Sequence, residues 1–438
     1  MKRRQFLSMV AGGAAAGLAR GVLPLRSEAA EPAGAGERPN VVLIISDDQA
    51  WTDYGFMGHP AIKTPHIDRL ASQSLVLTRG YVPSALCRPS LATLSTGLYP
   101  HRHGIVGNDP KGGSRNLAGR REMVARFRRN ALLPAMLGKA GYVSLQTGKW
   151  WEGHHTNGGF TAGMTHGDPK RGGRHGDAGL KIGRGGMKPI FDFIDGAGGR
   201  PFFLWYAPFM PHTPHSPPKR LLEKYTAADR PLPVARYYAM CEWFDETCGQ
   251  LLGFLDKRKL AEKTVVIYVA DNGWVQWAKK RRPLAQLRGK RTPYEMGVRT
   301  PIMVRWPGRV KPRRDEEQLA SSIDIVPTIL TACGLKPTKD MPGLNLLDAA
   351  AVSKRDAIFG EAFAHDVVDL VRPSSGLMHR WCIEGRWKLI VPHGQTTGPV
   401  ELFDLKADPH EKTNLASKHP EKVAQLRKRI DGWWKVEG

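Results

Sequence analysis

The sequence predicts an α/β protein: a large, mostly parallel sheet sandwiched by helices, followed by a smaller C-terminal α+β subdomain. Three observations carry this. Continuous β-branched and aromatic runs alternate with helical stretches. Several of those runs stop abruptly in carboxylates or a histidine, as buried parallel strands do where they reach a ligand cleft. From about residue 355 the pattern changes to short strands with turns, closed by one amphipathic helix. The chain has 438 residues, 41% hydrophobic and 24% charged, enough for a large core.

Taken in order, residues 1–29 read as an export leader. Arg3-Arg4 followed by Phe6-Leu7 and a weakly apolar Ala/Gly run resembles a twin-arginine signal, with cleavage expected near Ala29 or Ala30 and a periplasmic or secreted product. Residues 30–39 are a Pro/Gly/Ala-rich linker, residues 40–350 a main domain, and 351–438 the subdomain. No later stretch has the length and apolarity to span a bilayer, so no stable membrane insertion is expected.

The run "NVVLIISDD" from Asn40 predicts a fully buried strand, and Arg200–His212, Lys263–Gly273 and Thr300–Gly308 repeat that design. Helices are predicted over Thr64–Gln73, Leu132–Ala140, Pro233–Arg258 and Ile323–Cys333. A further helix is predicted over Leu91–Leu98, with Pro89 and Ser90 as start signals and Cys87 just ahead of its positive end. Residues 112–130 and 165–188 are rich in Gly, Arg and Lys and read as loops. "RWCIEGRWKLIVPHG" and "VELFDLKADPHEKTNLA" predict antiparallel strands, and Pro420–Val436 a closing helix. There are no internal repeats.

Five cysteines are too few and too scattered for a disulfide framework. Cys241 and Cys248 stand about 10 Å apart along one helix, beyond bridging distance. The net charge is +24; removing residues 1–29 takes away five basic residues and one acid and leaves +20. Such an excess favours polyanionic partners. No zinc-finger, RNP or basic-zipper pattern accompanies it, which argues against nucleic acid and leaves sulfated or phosphorylated substrates.

Asp47, Asp48, Asp271 and Asn272 stand at the ends of two predicted strands and offer hard oxygen donors of the kind that hold Ca2+ or Mg2+. Lys149 in "TGKWW", His212 in "PHTPH" and Lys290 in "GKRTPYEMG" are expected beside them. Cations next to a metal site make a pocket for a tetrahedral oxyanion, able to neutralise developing charge and protonate a leaving group.

The order of these motifs resembles the type I sulfatases of the alkaline-phosphatase-like superfamily. It runs Asp-Asp, "CRPS" with "TGLYPHRHG", "TGKW", "PHTPH", "ADNG", "GKRTPYEMGVRTP", and finally "ELFDLKADPHEKTNLA". The resemblance implies that Cys87 is oxidised to formylglycine by a formylglycine-generating enzyme. The aldehyde hydrate is then the nucleophile: one hydroxyl attacks, and the other expels sulfate by re-forming the aldehyde. It implies a divalent metal, Ca2+ with Mg2+ as the alternative, on Asp47, Asp48, Asp271, Asn272 and modified Cys87. Lys149 and Lys290 would bind sulfate, Lys290 or His212 would protonate the leaving oxygen, and Asp271 would assist deprotonation of the diol. The implied activity is a sulfuric ester hydrolase acting on a sulfated carbohydrate or small sulfate ester. The same scaffold also carries phosphatases, phosphodiesterases and phosphonate monoester hydrolases, and a non-catalytic glycan-binding form is a further reading.

Two positions depart from the family pattern. Leu91 stands where Cys-x-Pro-Ser is followed by arginine, and Trp151 where "GKW" is followed by histidine. Arg88 offers a guanidinium, but from the wrong side of the helix start. His154 or His155 is expected to reach back to the sulfate in place of the missing histidine. Arg171, Arg174 and Arg184 in the 165–188 loop are expected to suit a polyanionic glycan.

Overall fold

The computed structural model describes residues 38–167, 177–277, 288–394 and 396–436. The residues expected to form a leader and most of those expected as linker lie outside this range, as do Arg171 and Arg174. Twelve strands are present among the described residues: β1 Asn40–Ser46, β2 Leu75–Tyr81, β3 Val143–Gly148, β4 Ala162–Gly163, β5 Phe202–Ala207 and β6 Thr264–Ala270, then β7 Arg299–Arg305, β8 Arg313–Ser321, β9 Ala357–Phe363, β10 Leu377–Glu384, β11 Trp387–Pro392 and β12 Glu401–Asp404. Eight form one sheet in the order β4-β3-β5-β1-β6-β7-β2-β8, and the last four form a second, antiparallel sheet. In the large sheet β7 alone runs against its neighbours.

β1 lies at the centre, with Val41 opposite Phe203 of β5 and Val265 of β6. Alternate residues of the same strands enter two separate cores, as a period of two dictates. Val41, Leu43, Phe203, Trp205 and Ile267 meet the helices Cys87–Thr96, Leu133–Lys139 and Ile325–Ala332 on one face. Val42, Ile44, Leu204, Tyr206 and Tyr268 meet Pro65–Ser72, Lys188–Gly196 and Leu232–Lys257 on the other. Helices on both faces explain why these strands read as unbroken apolar runs.

The small sheet buries Trp381, Ile383, Ile390 and Phe403 against Tyr81 of the main sheet and Val298 just ahead of β7. Its other face is covered by the helix Pro420–Trp433 through Leu426 and Ile430. No helix among the described residues is long and apolar enough to cross a membrane. All five cysteines are free and buried.

Residues 117–128, expected as loop, form a helix. Asn116 caps it by accepting from the Gly119 N–H, and Met123 and Phe127, four apart, bury into the core. Among its many arginines only this one apolar pair is buried. The Cys87 helix also begins earlier than expected, at Cys87 itself, and ends at Thr96 with Gly97 in the left-handed region. β8 is an edge strand whose first six residues are polar and largely exposed, so it carries no apolar run to read.

Candidate active site

The site forms where the carboxyl ends of β1, β3, β5 and β6 converge. Asp47 and Asp48 follow β1, Lys149 follows β3, and Asp271 and Asn272 follow β6. His212 stands five residues beyond β5, and the Asp47 N–H is tied to the Met210 carbonyl at 3.0 Å. Gly148 turns the chain into Lys149 with φ +75°, and a Cβ there would lie 1.8 Å from the Ala207 carbonyl oxygen, so only glycine fits.

All eight residues singled out in the sequence come together. Lys149 Nζ donates to Asp47 Oδ1 at 2.5 Å and lies 3.5 Å from Asp271 Oδ2. Lys290 Nζ and Asn272 Nδ2 donate to Asp48 Oδ1 at 2.6 and 2.7 Å, and His212 Nε2 lies 3.4 Å from Asp48 Oδ2. Asp48 adopts φ +61°, unusual outside glycine, and its N–H donates to Asp271 Oδ1 at 3.2 Å. Asp47, Asp48, Cys87 and His212 each place one metal-ligating atom within 4.8 Å of the others.

Four buried oxygens in this cluster lack a hydrogen-bond donor: Asp47 Oδ2, Asp48 Oδ2, Asp271 Oδ2 and Asn272 Oδ1. Buried acceptors are normally paired, because leaving one bare costs about 1–3 kcal/mol. Four bare oxygen acceptors on three carboxylates and an amide fit a hard divalent cation.

Electrostatics agree. Burial pushes Asp271 up to about 7, helped by Asp47, and burial also raises Asp47 against the pull of Lys149. Burial works on Asp48 in the same direction, but Lys290, His212 and Lys149 overcome it and hold that carboxyl well below its ordinary value. Lys149 and Lys290 are both held above the ordinary lysine value: burial opposes their charge, and the carboxylates more than restore it. Burial takes His212 down to about 4, and its Nδ1 donates to the Thr213 carbonyl at 2.7 Å. A neutral His212 with its proton on Nδ1 has none to give at Nε2, so Lys290 is the better proton donor of the two. Cys87 stands at the positive end of a ten-residue helix, yet burial pushes its thiol up to about 11.

Leu91 is buried in the core, as is Trp151. Arg88 points away from the pocket, donating to both carboxylate oxygens of Glu152 at 2.7 Å. His154 is exposed with Nδ1 2.8 Å from Thr156 Oγ1, and His155 Nδ1 is 3.4 Å from the Thr165 carbonyl, so both histidines are engaged elsewhere. Arg184 is half-buried. Its guanidinium donates to the Phe209, His212 and Pro214 carbonyls and the Ser216 hydroxyl, which braces the His212 loop instead of offering a glycan contact. Sequence reasoning missed this brace. It also missed Glu152 and Asn108, whose Oδ1 accepts the Arg88 N–H at 2.9 Å. Those pairings span 20 to 64 residues and leave no local signal.

Bare carboxylate oxygens beside two buried ammonium groups define a class of site, one built to hold a cation and a tetrahedral oxyanion together. Comparison with known proteins narrows the class. The sulfatase family profile matches residues 39–335, and that of the N-sulphoglucosamine sulphohydrolase C-terminal region matches residues 286–434. The chain belongs to the sulfatase family of hydrolases. N-acetylgalactosamine-6-sulfatase of Canis lupus familiaris is 30% identical over 72% of this chain and 67% of its own length. N-acetylgalactosamine-6-O-sulfatase of Bacteroides thetaiotaomicron is 26% identical over 90% of this chain and 93% of that protein. A solved structure in complex with its substrate D-glucosamine-2-N,6-O-disulfate superposes with a TM-score of 0.69 at 19% identity, covering 91% of this chain and 98% of that one. The fold is the alkaline-phosphatase-like one that the motif order implied.

Proposed function

We propose that this protein is a sulfuric ester hydrolase releasing inorganic sulfate from a sulfated carbohydrate, with formylglycine derived from Cys87 as nucleophile and Ca2+ as the resident cation. The observation that carries the reading is the four bare oxygens of Asp47, Asp48, Asp271 and Asn272, in a site where Cys87 clusters with Asp47 and Asp48 and which Lys149 and Lys290 flank. Asp47, Asp48, Asp271 and Asn272 would hold the cation. When bound, it supplies Lewis acidity to the sulfate and nucleophile oxygens. Lys149 and Lys290 neutralise sulfate oxygens, and Lys290 gives the proton to the leaving oxygen. Asp271 accepts a proton from the nucleophile's hydroxyl, and His212 accepts a hydrogen bond at Nε2. The first turn of the Cys87 helix adds a partial positive charge.

Support for a polyanionic carbohydrate comes from the names of the relatives and from the Leu117–Arg128 helix with its flanks. Lys111, Arg115, Arg121, Arg128 and Arg129 are exposed there, with Glu122 the one acid between them. The inner face of that helix packs behind the Cys87 helix, with Met123 Sδ 3.2 Å from Arg88 Nη1. The reading includes maturation by a formylglycine-generating enzyme and export through the twin-arginine-like leader.

The test is mass spectrometry of the proteolytic peptide that starts at Gly80 and carries Cys87, on protein from its own host, paired with sulfate release from sulfated hexosamines. Aldehyde in place of thiol together with sulfate release supports the proposal. Thiol alone with glycan binding but no release would replace it with a non-catalytic glycan binder. Phosphate release in place of sulfate would move it to the phosphatase reading.

A further inference from the structure

Glu295, Lys388 and Glu411 form a buried ion cluster outside the chemistry described above. Lys388 Nζ lies 3.0 Å from Glu295 Oε1 and 2.9 Å from Glu411 Oε1, and all three side chains are 1% exposed or less. The Tyr81 hydroxyl donates to Glu295 Oε2 at 3.0 Å. The Glu295 N–H donates to Glu411 Oε2 at 2.6 Å, and Arg288 donates to the Glu411 carbonyl oxygen. Lys388 belongs to β11 and Glu411 follows β12, whereas Arg288 and Glu295 bracket Lys290. One residue of the small sheet's unit thus grips both ends of the segment that carries a pocket lysine.

That segment touches the site at two further points. The Arg291 N–H donates to the Ala85 carbonyl at 2.8 Å, two residues before Cys87. The Gly273 N–H donates to the Gly297 carbonyl at 2.8 Å, next to Asn272. A Cβ on Gly273 would lie 2.1 Å from the Met296 carbonyl oxygen, so the two stretches are in close backbone contact. Glu411 itself sits at φ +56°, a left-handed conformation for a non-glycine residue. The C-terminal family match, residues 286–434, spans both the Lys290 segment and the small sheet, and the sulfatase match over 39–335 overlaps it at that segment.

We infer that Glu411, held by Lys388, is the positioning residue for Lys290, so that the small sheet sets where the Lys290 ammonium stands. Burying three ions costs several kcal/mol for each before their pairing repays it, and an apolar trio would fill the same space without that cost. What the ions add is registry. A carboxylate accepting one backbone N–H, with its own carbonyl accepting from Arg288, fixes the loop to a fraction of an ångström. Lys290 Nζ needs that accuracy to stay 2.6 Å from Asp48 Oδ1 and to face an incoming ester.

The catalytic arm of the test rests on the sulfatase reading. Glu411→Gln should lower kcat/KM for an aryl sulfate about tenfold or more, and in a Lys290→Ala background it should add less than about twofold. Equal losses in both backgrounds, or wild-type kcat/KM in Glu411→Gln, would overturn the inference. Arg288→Met, on a side chain 39% exposed, removes the second grip without burying a charge. It should behave in the same way if Glu411→Gln does not fold. Hydrogen exchange on the full chain decides without any activity: amides of 289–298 should exchange faster in either variant while those of 357–363 do not change. Unchanged exchange over 289–298 overturns the inference. A wild type that hydrolyses no sulfate ester removes the functional reading alone and leaves this arm intact.

Discussion

Arg88 stands inside the motif that begins at Cys87, and its role can be decided by one pair of substitutions. Its guanidinium and the Glu152 carboxylate are 2% and 4% exposed and make two hydrogen bonds of 2.7 Å. Arg88→Met leaves Glu152 buried without a counter-charge, which costs about 3–5 kcal/mol. At about 2 cal/mol/K of unfolding entropy per residue, a chain of this size gains or loses roughly 1 °C in Tm for each ~0.9 kcal/mol. The expected fall is therefore about 3–6 °C by scanning calorimetry. Arg88→Met with Glu152→Met removes both charges, so most of the lost Tm should return, because a buried pair replaced by apolar groups is near neutral. Activity should return with it, once normalised to the converted fraction of Cys87. An Arg88 that bound sulfate would give another pattern: a folded, stable double variant without turnover. That result, or an unchanged Tm in Arg88→Met, would refute a structural role.

Chelation with EDTA should abolish turnover and lower Tm, with both restored by added Ca2+, and Asp271→Asn should lose the Ca2+-dependent rise in Tm. His103 is buried between Thr93 Oγ1 and the Ile105 N–H, and burial takes its imidazole down to about 3. The neutral form is native, so the stability it contributes is complete above about pH 6.5 and is lost as pH falls from there toward 3, by about 1.4 kcal/mol per unit. The difference in Tm between wild type and His103→Gln should therefore shrink between pH 7.5 and 5, and a constant difference would contradict the assignment. Replacing Arg3-Arg4 with Lys-Lys should hold the protein in the cytoplasm on fractionation, whereas unimpaired export would exclude a twin-arginine route.

What the sequence made legible follows from where its information is local. β1, β5 and β6 were readable because a strand buried on both faces must be apolar throughout, and their polar ends pointed to the site by the geometry of parallel sheets. Motif order supplied the family. Parts that depend on distant partners stayed hidden. Arg184 reads as a soluble loop arginine until the His212 loop folds back onto it. Glu152 lies 64 residues from Arg88, and Lys388 and Glu411 lie 93 and 116 residues from Glu295. The helix 117–128 failed for another reason: two buried apolar residues in twelve are enough to dock it, but with its other apolar residues off that face they raise no periodic signal. The substitutes expected at His154 and His155 failed because sequence proximity to Trp151 says nothing about which way a turn points its side chains.

The pocket's charge separates the sulfatase and phosphatase readings. Asp47, Asp48 and Asp271 against Lys149 and Lys290, with His212 neutral, leave a formal −1. An anionic ester would be repelled by that site, and a divalent cation on the four bare oxygens brings it to +1. A sulfate monoester carries one negative charge and matches it. A phosphate monoester above pH 6 carries nearly two, because its second pKa is about 6. Leu91, where the family pattern has arginine, lies in the core and adds no charge. A dianion would leave one negative charge buried in the pocket without a counter-charge, and an unpaired buried charge is costly enough to restrict turnover to the singly charged form. The ratio of kcat/KM for phenyl phosphate to that for phenyl sulfate should therefore fall about tenfold per pH unit between pH 7 and 9, as the phosphate monoanion disappears. A flat ratio over that range would mean that the pocket accepts a dianion, and that a positive group outside this set completes it.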